Sequence, residues 1–414
     1  MRVLLVGSGG REHALAWKLT RSPLLTELHA APGNPGIARL GDCHPVLADD
    51  AEAVLALARS LAAELVVVGP EVPLVGGLAD VLRTNGVAVF GPGRGAAAIE
   101  GSKSFAKAVM RAAGVPTARD LPRPLAPCVL KADGLAAGKG VVVCHTQSEV
   151  EAGLSELVDH PGPLVVEELL EGEEVSLFAL CDGLDATALP AARDFKRAFD
   201  GDAGPNTGGM GSFSPVPGVD SDEVEDLVDR VHRPVLGELA RRGMPFVGTL
   251  FAGVMLTPSG PRVLEFNCRF GAPETQSLVP VLEGDLLEAC AAAAQGSLGA
   301  RPLPPPKEAA VTVVVTAGRY PADGNHGSEI SGVEEAEATG AHVFHAGTAL
   351  RDGALVTNGG RVLNVTATGS SLAEARAAAY DAVARISFDG ARYRTDIAAA
   401  ASRLGGQLRS DLYT

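Results

Sequence analysis

Residues 1–102 alternate between short apolar runs and stretches of helical periodicity, and this pattern confines the chain to an α/β construction. The run from Arg2 to Val6 is too short for a helix, and Glu12 to Leu19 continues as one. Residues 65–69 and 87–90 are further apolar runs, each followed by Gly or Pro. Such strands are buried on both faces, so the expected unit is a parallel, doubly wound sheet with its binding loops at the strand carboxyl ends. The loops that fall there are 7–12, 32–36, 69–73 and 91–95.

The first of these loops departs from the dinucleotide-binding fingerprint. Gly7, Gly9 and Gly10 are present, but Glu12 stands at the third glycine position, and Asp42, Asp49 and Asp50 are poorly placed for a ribose. Backbone amides opening a helix still favour a small phosphate ester. A structural strand–helix turn is the other reading.

A chain of 414 residues with 46% hydrophobic content has room for roughly three domains. The formal charge of −15 argues against a nucleic-acid partner or an anionic membrane surface, but not against small anions in a locally basic cleft. Six cysteines without a Cys-x-x-Cys pair read as reduced, mostly buried thiols. No signal-peptide or membrane-spanning segment fits, so a cytoplasmic protein is expected.

From residue 103 the pattern changes. Lys103 to Ala113 is a helix closed by Gly114, and a strand–loop–strand hairpin follows, with Lys139 between Gly138 and Gly140 at its tip. A lysine there folds over nucleotide phosphates or simply points to water. Residues 164–174 are a strand ending in carboxylates, then a turn. Such a backbone suits an adenine and Glu174 suits ribose hydroxyls, although a solvated acidic turn has the same composition. In loop 204–211, glycines at 208, 209 and 211 let backbone approach a ligand closely.

Farther on, an apolar strand ends in Glu265 and Asn267, oxygen ligands at i and i+2 that leave one face, with Arg269 on that face if the strand continues. Hard oxygens beside a guanidinium suit a magnesium ion bridging phosphates. Residues 222–243 read as a packing helix and 301–307 as a Pro-rich linker. The last domain shows strands at 311–316, 342–344 and 362–366, a helix at 372–386, and no catalytic constellation. Its His326, His342 and His345 read as surface or core residues.

Together these motifs resemble the ATP-grasp ligases and, within them, the phosphoribosylamine–glycine ligase family. The resemblance is carried almost end to end by residues 9–14, 31–34, 68–71, 100–103, 131–140, 204–211, 265–271 and 357–362. It implies an ATP-grasp α/β fold in four parts. These are an N-terminal doubly wound parallel-sheet domain (1–102), a small ATP lid with its leading helix (103–190), a central domain carrying the metal site (191–300) and a C-terminal α+β domain (308–414). The activity implied is ATP-dependent ligation of glycine to 5-phosphoribosylamine through glycyl phosphate, in purine biosynthesis, with Mg²⁺ or Mn²⁺.

The resemblance also assigns residues. Lys103 and Lys131 would bind ATP phosphates under a loop of Gly138, Lys139 and Gly140. Adenine would lie against Glu168 and Leu170, with Glu174 near the ribose, and Glu167 would also belong to the nucleotide site. Glu265 and Asn267 become metal ligands, and Arg269 and Lys139 act on the reacting groups. Gly9, Gly10, Arg11, Glu12, Asn34, Glu71, Lys196, Arg197, Asn206, Thr207, Gly208, Gly209 and Met210 would hold phosphoribosylamine and glycine. A monomer or weak dimer is expected, with transient handover from the preceding amidotransferase as the one protein contact suggested.

Three departures from the family pattern stand out. Phe195 and Ala272 replace a polar and an acidic residue, and 117–127 is short for the helix that usually opens the lid. Loss of the acid at 272 is expected to loosen Arg269 or metal-bound water. The rival readings are another ATP-grasp carboxylate–amine ligase or carboxylase of purine metabolism, and a non-catalytic nucleotide-binding protein.

Overall fold

The computed structural model describes residues 1–135, 140–160, 162–299 and 303–403. Strands β1 (Arg2–Gly7), β2 (Glu27–Pro32), β3 (Asp42–Cys43), β4 (Leu65–Val68) and β5 (Val89–Phe90) form one parallel sheet in the order β3-β2-β1-β4-β5. Helices α1 (Gly10–Leu19), α2 (Ala51–Ser60), α3 (Glu71–Gly76), α4 (Leu78–Thr84) and α5 (Arg94–Gly101) connect and cover it. The unbroken apolar run of β1 has a direct cause: Leu4 and Val6 enter one core and Val3 and Leu5 another. Burial on both faces demands an apolar residue at every position.

Helix α6 (Lys103–Ala113) starts where the Ser102 hydroxyl accepts from the Phe105 amide, and it ends at left-handed Gly114. It leads to a small antiparallel sheet, ordered β7-β6-β8, of β6 (Cys128–Ala132), β7 (Val141–Cys144) and β8 (Leu164–Glu168), with α7 (Gln147–Glu156) packed on it. The short segment after α6 is extended rather than helical. Thr117 pairs with Val263 and Asp120 with Glu167, tying this sheet to the body of the chain.

The remaining elements centre on one large antiparallel sheet. Strands β9 (Glu173–Asp182), β10 (Ala186–Asp194), β11 (Arg197–Phe199), β12 (Ala203–Asn206) and β13 (Gly211–Ser214) precede α8 (Ser221–Arg241). Then come β14 (Val247–Thr257), β15 (Gly260–Asn267), α9 (Glu274–Val281) and α10 (Leu286–Ala294). Beyond the Pro-rich linker lie β16 (Ala309–Thr316), β17 (Asn325–Glu329), α11 (Val333–Glu337) and β18 (His342–His345). Strands β19 (Thr348–Arg351), β20 (Ala354–Gly359) and β21 (Arg361–Gly369) and helix α12 (Leu372–Val383) complete the described elements.

Strand order in the large sheet is β15-β14-β9-β10-β13-β16-β21-β18. Pairing of β13 with β16 therefore carries the sheet straight across the linker into the C-terminal strands. An edge that would otherwise stand open is covered, and the two regions share one hydrogen-bonded framework.

The histidines and cysteines are largely internal. All six cysteines are free and five are buried. His345 is buried, His342 packs against Trp17, and His326 meets Asn358 at the surface. No helix among the described residues is long and apolar enough to cross a membrane.

His232 of α8 is fully buried, with Nε2 at 3.2 Å from the Leu250 carbonyl and no partner for Nδ1 among the described residues. Burial holds this imidazole down to about 4. The unfolded chain, titrating near pH ~6.5, takes up a proton that the folded chain refuses until near 4. Stability from this group is full above about pH 6.5 and declines as pH falls through that window, by on the order of 3 kcal/mol. His232→Gln should flatten that section of the stability–pH curve measured by urea unfolding. An unchanged slope would place the acid sensitivity elsewhere.

Candidate active site

The carboxyl ends of the N-terminal strands, the small sheet, the end of β15 and the C-terminal strands surround one cavity of about 1100 Å³. Pairing of β14 with β15 sets Glu265 opposite Gly253 and Asn267 opposite Phe251, so the two oxygen-bearing side chains leave one face as expected, and both line the cavity. Burial pushes the Glu265 carboxyl up, but Lys196, Lys131, Lys103 and Arg269 outweigh it and keep it below the usual range. That carboxylate makes no hydrogen bond or ion pair among the described residues. The Asn267 amide nitrogen donates to the Phe266 carbonyl at 3.1 Å, which leaves its oxygen for another partner.

An ionised carboxylate without a protein partner, beside an amide oxygen, fits a hard divalent cation. No group of three or more His, Cys, Asp or Glu among the described residues is arranged to hold a metal ion by itself, so such an ion would draw further oxygens from phosphates and water.

Arg269 does not continue the strand face. The strand stops because the Cys268 amide donates to Glu100 at 2.7 Å instead of to a neighbouring strand. Arg269 then spans two carboxylates, with Nε at 3.1 Å from Glu71 and Nη2 at 2.8 Å from Glu100. Burial pushes Glu71 up, yet Arg269 and Arg11 together bring it down to about 2. Burial dominates at Glu100 and raises it despite Arg269. This clamp corrects the expectation that Ala272 leaves Arg269 loose. The Ala272 carbonyl itself accepts from Arg361 at 3.0 Å, and Phe195 lies under the Arg394 guanidinium at 5.1 Å.

The lysines are held by partners that the linear pattern conceals. Lys131 meets Glu167 at 2.7 Å and the Leu264 carbonyl at 2.8 Å. Lys107 takes the other Glu167 oxygen at 2.7 Å, so the Glu167 side chain, at the cavity lining, also holds Lys131 in place. Lys103 donates to the Gly134 carbonyl at 2.9 Å, and burial lowers its ammonium. Val129, Val143, Leu169, Leu170, Met255 and Leu264 form an apolar part of the lining, with Gly140 and Glu168 nearby; Glu168 pairs with Arg119 at 2.8 Å. Gly138 and Lys139 lie outside the described residues.

Lys196 ion-pairs with Glu174, and Asp194 stands 4.0 Å away. Burial raises Asp194 to about 8; Lys196 opposes this and Glu274, Glu174 and Glu265 reinforce it. At the first loop, Glu12 closes its own turn, accepting from the Gly9 amide at 2.7 Å and from Arg11 at 2.6 Å. A β-carbon at Gly7 would lie 2.5 Å from Glu12, which is why glycine precedes it. Asn34 ties that loop down, donating to the Ser8 and His345 carbonyls and accepting from the Gly36 and Ile37 amides.

The glycine-rich loop is divided. Asn206, Thr207 and Gly208 line the cavity, as do Gly9, Gly10, Arg11 and Arg197. Gly209 is not in the lining and packs on Pro273, while Met210 is buried in the core. Glu100, Lys107, Asp194 and Glu274 escaped the sequence reading, as did the contribution of the last domain: Asn358, Arg361 and Asn364 all line the cavity. Three of them had a signal, since Glu100, Asn358 and Arg361 sit inside segments 100–103 and 357–362.

A parallel-sheet unit, a small antiparallel lid sheet and a large sheet closing on a lysine-lined cavity define an ATP-grasp protein. Residues 1–100, 101–275 and 310–400 match the N, ATP-grasp (A) and C domains of phosphoribosylglycinamide synthetase. The phosphoribosylamine–glycine ligase of Streptomyces coelicolor is 52% identical across 97% of this chain and 100% of its own length. The one from Mesorhizobium japonicum is 48% identical across 96% and 97%. The crystal structure of the Thermotoga maritima phosphoribosylamine–glycine ligase superposes with a TM-score of 0.81 at 37% identity, covering 96% of this chain and all of that one. The chain belongs to the phosphoribosylamine–glycine ligase family. The biotin carboxylase domain of the Hydrogenobacter thermophilus 2-oxoglutarate carboxylase shares the fold at 16% identity, with a TM-score of 0.69 and 94% and 91% of the two chains covered.

Proposed function

We propose that this chain joins glycine to 5-phosphoribosylamine at the expense of ATP in purine biosynthesis, giving glycinamide ribonucleotide, ADP and phosphate. The observation that carries the reading is the ionised, unpaired Glu265 carboxylate ringed by Lys103, Lys131, Lys196 and Arg269 in one cavity. A site of this kind positions and neutralises phosphoryl groups and supplies no covalent nucleophile. A glycine carboxylate oxygen attacks the terminal phosphorus of ATP and ADP leaves. The amine then attacks the acyl carbon of glycyl phosphate, phosphate departs, and the amide nitrogen loses its extra proton.

Lys103 and Lys131 hold the phosphates, and Gly138, Lys139 and Gly140 cover them. The adenine lies on the apolar wall against residues 168–170, with Glu174 near the ribose. Glu265 and Asn267 hold Mg²⁺ or Mn²⁺, which when bound neutralises phosphate charge. Arg269 is placed by Glu71 and Glu100 to stabilise the transferring group. Residues 9–12, Lys196, Arg197 and 206–208 face the two remaining substrates. The enzyme works in the cytoplasm as a monomer or weak dimer, with handover of the unstable amine from the preceding amidotransferase. The four-part division at 102/103, 190/191 and 300/308 belongs to this reading.

Sustained ADP turnover should require glycine, ATP and freshly generated phosphoribosylamine together; continuous turnover without the amine or without glycine would overturn the assignment. Lys131→Met should raise the KM for ATP about tenfold or more, the loss of one charge-assisted contact, and leave that for glycine nearly unchanged. Steady-state kinetics with each substrate varied in turn checks this. An equal rise for both would remove Lys131 from the phosphate site.

A further inference from the structure

Gly10 opens α1 against two carboxamides from distant parts of the chain. A β-carbon at residue 10 would lie 2.2 Å from the Asn364 amide nitrogen of β21 and 2.9 Å from that of Gln276 in α9. Glycine at this position therefore lets both side chains reach the helix N-terminus. Asn364 is 2% exposed and donates to the Phe344 carbonyl at 3.2 Å. Gln276 is equally buried and lines the cavity, yet its Oε1 has no partner among the described residues.

A buried acceptor left open beside a ligand cavity calls for a donor. Phosphate and carboxylate oxygens only accept, so neither satisfies it, whereas a sugar hydroxyl donates as well as accepts. An ammonium also donates, but Asp194 and Glu274 line the same cavity and offer it a carboxyl.

Resting on the ligase reading above, we propose that Gln276 determines specificity for the amine substrate: its amide, held against the N-terminus of α1 beside Asn364, binds a ribose hydroxyl of phosphoribosylamine. The sugar site is thus complete only where the N-terminal, ATP-grasp and C-terminal parts meet.

Gln276→Met keeps the length and bulk of the side chain and removes both polar atoms. The KM for phosphoribosylamine should rise about tenfold or more, while those for ATP and glycine stay within about twofold and the melting temperature holds. Binding of ribose 5-phosphate, a stable probe of the same sugar, should weaken in parallel. An unchanged KM for phosphoribosylamine, or an equal rise for glycine, overturns the assignment. Gln276→Leu, likewise apolar and close in bulk, should give the same signature and decides the matter if Gln276→Met does not fold. Wild-type ADP release that ignores phosphoribosylamine would overturn the ligase reading instead, and ribose 5-phosphate binding by wild type and Gln276→Met still scores the sugar site.

Discussion

Glu265→Ala should abolish ligation, with kcat lower by on the order of 10³-fold or more, and leave the fold intact. The carboxylate has no hydrogen-bond partner among the described residues, so its removal orphans no donor. Its surroundings are cationic, and ATP phosphates can partly replace the lost negative charge. A melting temperature close to wild type with turnover near zero is the expected pair of results. Near-normal turnover at saturating metal would remove Glu265 from the metal site.

Arg269→Ala should damage both properties at once. Its guanidinium joins Glu71 and Glu100, and Glu100 is buried and already disfavoured as an anion. Taking away the cation leaves a buried carboxylate without its charge partner, a change that costs about 3–5 kcal/mol. On the role proposed for Arg269 beside the transferring phosphoryl, its loss should also lower kcat by about 10²–10³-fold. Urea unfolding and ADP release on the same preparation separate the two effects. An unaltered unfolding midpoint would mean that the clamp does not support the fold, and unaltered turnover would confine Arg269 to a structural role. Arg269→Lys should recover little, because an ammonium cannot span two carboxylates as a planar fork does.

Features written in local chemistry were legible before any coordinates. Apolar runs of strand length gave the parallel sheet, because burial on both faces leaves no position for a polar residue. The i, i+2 spacing of Glu265 and Asn267 placed both on one face, because strand geometry has a period of two. The helix from Lys103 to Ala113 and its glycine stop were equally local.

Partner choice was not legible. Glu100 and Arg269 are 169 residues apart, and neither neighbourhood specifies that they meet. The same holds for Glu167, whose side-chain partners Lys107 and Lys131 come from distant elements, and for Arg269, which left the strand face once Glu100 took the Cys268 amide. Continuation of the large sheet from β13 into β16 likewise depends on two strands finding one another across the linker, and it brings Arg361 and Asn364 to the cavity. The sequence by itself determined which elements form and which reactive groups stand at their ends, since backbone sterics and periodic burial act over a few residues. Only the tertiary structure decided which charges pair and which polar atom is left open for a ligand, since those outcomes depend on distances between elements far apart in the chain.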